Sequence, residues 1–280
     1  MAGLLSGLAG LGLDELENVD IYKSEEREKK EKEVPVQKAE EKDLIYEKTF
    51  QCPVCEESFP AKIMKSGKAK LIKTDQDLRP QHEGIDAAKY DVLLCPHCGY
   101  AALSRYFNSV VNTQAKLIKE NISSRVQLRP YTGETYSYDE AVERYKLALA
   151  NAVVKRAKPS EKAFICLKSA WLLRGYAESL EQEANPDSGK IAELRKQELD
   201  YLENAYNGFV EAIQSENFPM CGMDEITVDY LIAVLAARFK KYDVASRLVA
   251  SILTSATANN RTKDKARELK EQILADIKKK

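Results

Sequence analysis

The stretches FQCPVCEESF (residues 50–59) and VLLCPHCGYA (residues 92–101) each carry a Cys-x-x-Cys pair with a proline after the first cysteine. Two such turns facing each other offer four soft thiolates at the corners of a tetrahedron, which is the arrangement zinc favours. Pro53 and Pro96 fix φ where each turn tightens, and Gly99 permits left-handed backbone just past the second pair, so that amide N–H groups can reach the sulfurs. Cys55 and Cys95 are separated by 39 residues, which exceeds common ribbon spacing. A hairpin insertion accommodates that interval, because loop-closure entropy grows only with the logarithm of length. Cys52, Cys55, Cys95 and Cys98 are therefore the expected ligands of one structural Zn2+ site.

That site is expected to hold the chain together rather than to do chemistry. A catalytic zinc keeps one position open for water and has a general base nearby, whereas four thiolates close the shell. Only two histidines occur, His82 and His97, and both read as ordinary solvated or hydrogen-bonded side chains. The sequence contains no His-Glu-x-x-His, no Gly-x-Ser-x-Gly and no phosphate-binding glycine loop, so the expectation is no enzyme and no catalytic residues. A thioredoxin-like dithiol is normally a single pair opening a helix after a strand, which two knuckles do not match. A thiol redox or metal-sensing switch stands as a second alternative function. Of the two unpaired cysteines, Cys166 in AFICLKSAWLL reads as a small buried hydrophobe, with Trp171 of the same helix also in the core. Cys221 in NFPMCGMDE precedes a helix start, where a thiol can be acidified and play a regulatory part.

Formal charge is −1 from 43 basic and 44 acidic residues, so no global excess points to nucleic acid. Locally, Lys62, Lys65, Lys68, Lys70 and Lys73 run without an acid until Asp75, and this band makes a nucleic-acid-binding ribbon the first alternative function. A solvated hairpin face whose lysines offset the thiolate charge accounts for the same residues and is preferred. The longest apolar run, Tyr230 to Ala237, has eight residues, against the roughly 18 a membrane helix needs. The N-terminal leucines are not preceded by Lys or Arg and are interrupted by glycines, unlike a secretory signal, so a soluble cytoplasmic protein without a membrane partner is expected.

Composition divides the chain in three. Residues 1–48 carry 8 basic and 13 acidic side chains and read as a disordered acidic tail and linker, with Leu4, Leu5, Leu8 and Leu11 as a candidate docking motif. Residues 49–107 hold short strand-like pieces and turns, a β-rich zinc-ribbon-like module. From 108 to 280 Ala, Leu, Glu and Lys dominate, and breaks near Pro130, Pro159, Pro186, Pro219 and Asn259 partition the region into about six helices. Small and aromatic residues recur at Ala141/Tyr145/Ala148, Ala205/Phe209/Ala212 and Ala245/Val249/Ile252, as on the second helix of a tetratricopeptide unit, though the 64- and 40-residue offsets miss its period.

Together FQCPVCEESF, KLIKTDQDLRPQHEGIDAAKYDVLLCPHCGYAA and FPMCGMDEITVDYLIAVLAARFKKYDVASRLVASIL resemble the bacterial family called domain of unknown function 2225, from about residue 49 onward. The resemblance implies a metal-binding module followed by tetratricopeptide-like helices, and no established activity. The expected protein is thus α+β: a small zinc-ribbon-like module and a mostly helical, tetratricopeptide-like array. Its expected role is a cytoplasmic adaptor whose helical domain binds an unidentified protein or peptide.

Overall fold

Each Cys-x-x-Cys forms the turn of a two-stranded hairpin. In the computed structural model, which describes residues 40–128, 131 and 133–278, strand β1 (Ile45–Gln51) pairs antiparallel with β2 (Ser58–Met64), Gln51 opposite Ser58, around the first cysteine pair. A second hairpin follows, β3 (Leu71–Thr74) with β4 (Pro80–His82), its register shifted between Leu71 and Lys73. The third, β5 (Val92–Leu94) with β6 (Ala101–Leu103), closes around the second cysteine pair with Leu94 opposite Ala101.

Strand β2 follows the period-two rule, with Phe59 and Ala61 buried and Ser58 and Pro60 exposed between them. The β5–β6 hairpin breaks that alternation, since all six of its residues are buried. Leu93 and Ala102 pack with the cysteines, Tyr100 and Phe107, whereas Val92, Leu94, Ala101 and Leu103 pack with the helices. A ribbon covered on both faces reads as an unbroken apolar run, which is how VLL and AAL appear in the sequence.

Seven α-helices follow among the described residues: α1 (Asn112–Ile118), α2 (Tyr138–Val154), α3 (Pro159–Glu181), α4 (Ser188–Ser215), α5 (Glu225–Arg238), α6 (Tyr242–Thr254) and α7 (Asn260–Lys278). Two turns of helix were too short to read as an element, so α1 is the one missed. Starts are set by side chains: Ser137 and Glu140 form a reciprocal capping box on α2, Pro159 opens α3, and Asp187 and Asp224 cap α4 and α5. Helix α3 is buried on most sides, from Ala163 to Leu173, and α4 packs along it. The nine small and aromatic positions of the recurring pattern fall on α2, α4 and α6, and all are buried. Together the hairpins and helices give an α+β fold. No helix among the described residues is long and apolar enough to cross a membrane.

Both sequence boundaries differ from the packing. The linker was expected to run to residue 48, but Glu41–Leu44 form a 3-10 turn and β1 starts at Ile45. Leu44 and Ile45 bury against Ile85, Tyr90 and Tyr136, and Glu41 accepts from both Lys89 Nζ (2.6 Å) and Tyr90 Oη (2.7 Å), contacts with no local sequence signal. The rest of that segment, 1–39, lies outside the described residues. The boundary at 107 separates strands from helices without separating cores: Ile118 of α1 packs among the cysteines, and Ala39–Lys280 is one compact unit.

The loop between β3 and β4 is tied to the helices by charge. Arg174 of α3 donates to Asp75 (3.1 Å), to both carboxylate oxygens of Asp77 (3.0 and 2.5 Å) and to Glu198 of α4 (2.8 Å). Glu198 also faces Arg195 (3.2 Å) and Arg238 (3.3 Å), although only 1% of it is exposed. Burial opposes the Arg174 charge, and the Asp77 and Glu198 carboxylates outweigh it, so its pKa is raised. Removing one partner strands the others without solvent. Arg174→Met is expected to lower stability by about 3–5 kcal/mol, read from the urea unfolding midpoint.

Candidate metal centre

Two hairpin turns bring four sulfurs together. The thiol groups of Cys52, Cys55, Cys95 and Cys98 all lie within 4.8 Å of one another, with Cys52–Cys98 and Cys55–Cys95 at 3.6 Å. A disulfide would draw a pair to about 2.05 Å. Zinc–sulfur bonds of about 2.3 Å at tetrahedral angles place sulfurs ~3.8 Å apart, so the two short edges fit a tetrahedral thiolate site. Cys52, Cys95 and Cys98 are buried, and Cys55 stands at the edge of the cluster.

The two turns share one backbone plan. Glu56 N–H donates to the Cys52 carbonyl (2.9 Å) and Gly99 N–H to the Cys95 carbonyl (3.0 Å), and each donor residue is left-handed, at φ 68° and 72°. Val54 N–H additionally donates to Cys52 Sγ (3.4 Å), a hydrogen bond of the kind that steadies a thiolate. Glycine is required in the second turn: a Cβ on Gly99 would stand 2.6 Å from Val126 Cγ1. From the helical side, Asn151 of α2 donates its amide to the Gly99 carbonyl (3.0 Å), so the second knuckle is held by the helix packed against it.

Sulfurs this close titrate together. Contacts from Cys95 and Cys98 hold the Cys52 thiol below its usual range, while contact with Cys52 pushes Cys95 and Cys98 up. Full deprotonation of all four would set like charges about 4 Å apart in a buried site, which needs a cation among them. The four residues named from spacing are therefore the ones the fold converges, and as a set they can hold a metal ion.

A model of a family described as uncharacterized proteins conserved in bacteria, domain of unknown function 2225, matches residues 45–273. The chain belongs to that family. No curated protein and no solved structure matches it. The region shared with the 2225 family opens on the first residue of β1 and closes inside α7, so it takes in the cysteine core and the helical core alike.

The other candidate residues lie apart from the sulfurs. His97 is exposed within the second turn, and His82 sits on β4 and is not part of the cysteine cluster. Of the lysine band, Lys62 places its ammonium 5.2 Å from the Tyr136 ring centre, Lys65 donates to the Asp43 carbonyl (2.8 Å), and Lys68, Lys70 and Lys73 are exposed. Cys166 and Trp171 are buried as expected, and burial pushes the Cys166 thiol up to about 11. Cys221 departs from expectation. Burial raises its thiol rather than lowering it, its Sγ faces the Ser160 carbonyl (3.2 Å), and the N-terminus of α5 is already capped by Asp224.

Elemental analysis of the purified chain is expected to find about one metal ion per molecule, falling below half of that in Cys52→Ser and Cys95→Ser. Loading with Co2+ should give the intense visible absorption of a tetrahedral tetrathiolate. In the metal-loaded protein Cys221 should label with a thiol reagent more slowly than a free cysteine in solution.

Proposed function

We propose that this chain is a zinc-stabilised, non-catalytic cytoplasmic adaptor, in which the metal holds the hairpins in place and a tetratricopeptide-like helical array receives a protein or peptide. The observation that supports this reading is the convergence of four protein sulfurs within 4.8 Å of one another, which would leave an ion bound by all four no position for water or substrate. Small β-rich modules lack the core to stand alone, and a closed thiolate site supplies folding free energy directly.

The helical side supports the second half of the proposal. Val249, Ala250 and Leu253 of α6 face Ile273 and Leu274 of α7 across an apolar groove of about 220 Å³. Leu274 and Ile277 remain 48% and 46% exposed beside it, apolar surface of the kind that takes an amphipathic peptide. The lysine band supports nucleic-acid binding less well, because Lys62 and Lys65 direct their ammonium groups to the chain itself.

Leu274→Asp is expected to change the unfolding free energy by no more than about 0.5 kcal/mol, since the side chain is half exposed, while reducing partner retention at least tenfold in affinity capture from the source cytoplasm. Retention unchanged by Leu274→Asp and Leu253→Asp together would remove this groove from the proposal. Stripping the metal with a high-affinity chelator should unfold the cysteine core and abolish retention at the same time.

A further inference from the structure

Arg144 of α2 is only 5% exposed, yet its guanidinium makes no hydrogen bond and no ion pair with any described residue. A cation taken out of water is ordinarily matched by a carboxylate, because an unmatched charge is poorly screened inside a fold. What surrounds this one is aromatic: its central carbon lies 3.8 Å from the centre of the Tyr136 ring and 4.7 Å from that of Tyr131. Ring faces offset part of the lost hydration but supply no counter-charge. Tyr136 is itself held in place, since it stacks on Tyr90 at 5.3 Å and its hydroxyl accepts from the Lys62 N–H (3.1 Å).

A pocket of about 220 Å³ opens on this group, between the first hairpin, the second knuckle and the start of α2. Arg144 Nε and Nη1 are closed to solvent and to any ligand, and Nη2 is the nitrogen that the fold leaves open. Lys62 lines the same pocket, partly exposed, with its ammonium 5.2 Å from the Tyr136 ring centre, and it too forms no ion pair with a described residue. Glu47 is the one lining carboxylate among the described residues; it is exposed on β1 across from Lys62 and pairs with neither cation. Two positive groups therefore face one negative group. The walls between them are apolar, built from Pro60, Leu94, Pro96 and Leu128.

An open donor on an unpaired cation, a second unpaired cation and apolar walls define what the pocket accepts. We propose that it receives the acid group of a small organic anion, a carboxylate or a phosphate monoester held by Arg144 Nη2 and Lys62, with a short apolar stem against Leu94, Pro96 and Tyr131. The volume lies below the roughly 300–1,000 Å³ of sites for drug-sized ligands, so the stem is no larger than one ring. Such a ligand supplies the counter-charge that the chain withholds from Arg144. The pocket is independent of the metal centre and of the α6–α7 groove, since it shares no lining residue with either.

The test is a chemical-shift titration of 15N-labelled, metal-loaded, full-length protein at constant ionic strength, read at the Lys62, Tyr136 and Arg144 amides. The probes are benzoate, phenyl phosphate and the neutral benzyl alcohol. At least one anion is expected to give saturable shifts with a Kd near or below about 5 mM, and the alcohol to bind at least about tenfold more weakly. The tighter of the two anions identifies the acid group. Lys62→Gln should weaken that anion about threefold or more without altering the far-ultraviolet spectrum, whereas Lys73→Gln, an exposed position outside the pocket, should leave its affinity within about twofold. The proposal is overturned if neither anion saturates the shifts by about 50 mM, if the alcohol binds as well as the anions, if Lys62→Gln leaves the anion affinity unchanged, or if Lys73→Gln weakens it as much.

Discussion

Four sulfurs drawn from two hairpin turns, mutually within 4.8 Å, are the constraint around which the N-terminal half of this fold is arranged. Two-stranded hairpins are marginal in water by themselves, and β5–β6 has only three residues a side. The hairpins gain what they lack from two sources. One is the tetrahedral thiolate geometry at their closed ends. The other is the helical core that receives the outer face of β5–β6, together with the Asn151 bond to Gly99. Neither source is local in sequence, and the family match spans both.

A different kind of tie holds the middle hairpin. Its tip is carried to α3 and α4 by Asp75, Asp77, Arg174 and Glu198, charges that repay their desolvation only as a complete set. Charge alternation is ordinary on exposed helices. What marks this cluster is the 1% exposure of Glu198, satisfied by three arginines at once. Such an arrangement adds specificity of docking more readily than it adds stability, because few alternative packings could supply all partners.

Legibility from sequence followed the range of each interaction. The cysteine ligands could be named because a knuckle is written in four consecutive residues, and the helix starts because a cap acts across three or four. The charge tie of Asp77 could not be read locally, since its partner Arg174 is 97 residues away. Helix α1 escaped because seven residues carry too little periodicity. Cys221 misled because a helix start was visible and its burial was not. The pocket beside Arg144 had no local signal, because its lining comes from β1, β2, β5, the second knuckle, the segment before α2 and α2 itself.

Side chains along a strand point alternately to opposite sides, and β5–β6 uses both sides. Sliding β5 along β6 by a single residue would hand Leu93 to the helices and turn Val92 and Leu94 toward the sulfurs, exchanging two sets of unequal size. Cys95 directly follows Leu94, and the turn that ends at β6 contains Cys98, so an ion gripping both cysteines clamps the ribbon at its bend. With an ion bound, which apolar side chains reach the helical interior would be decided at the cysteines, several ångströms from where they pack.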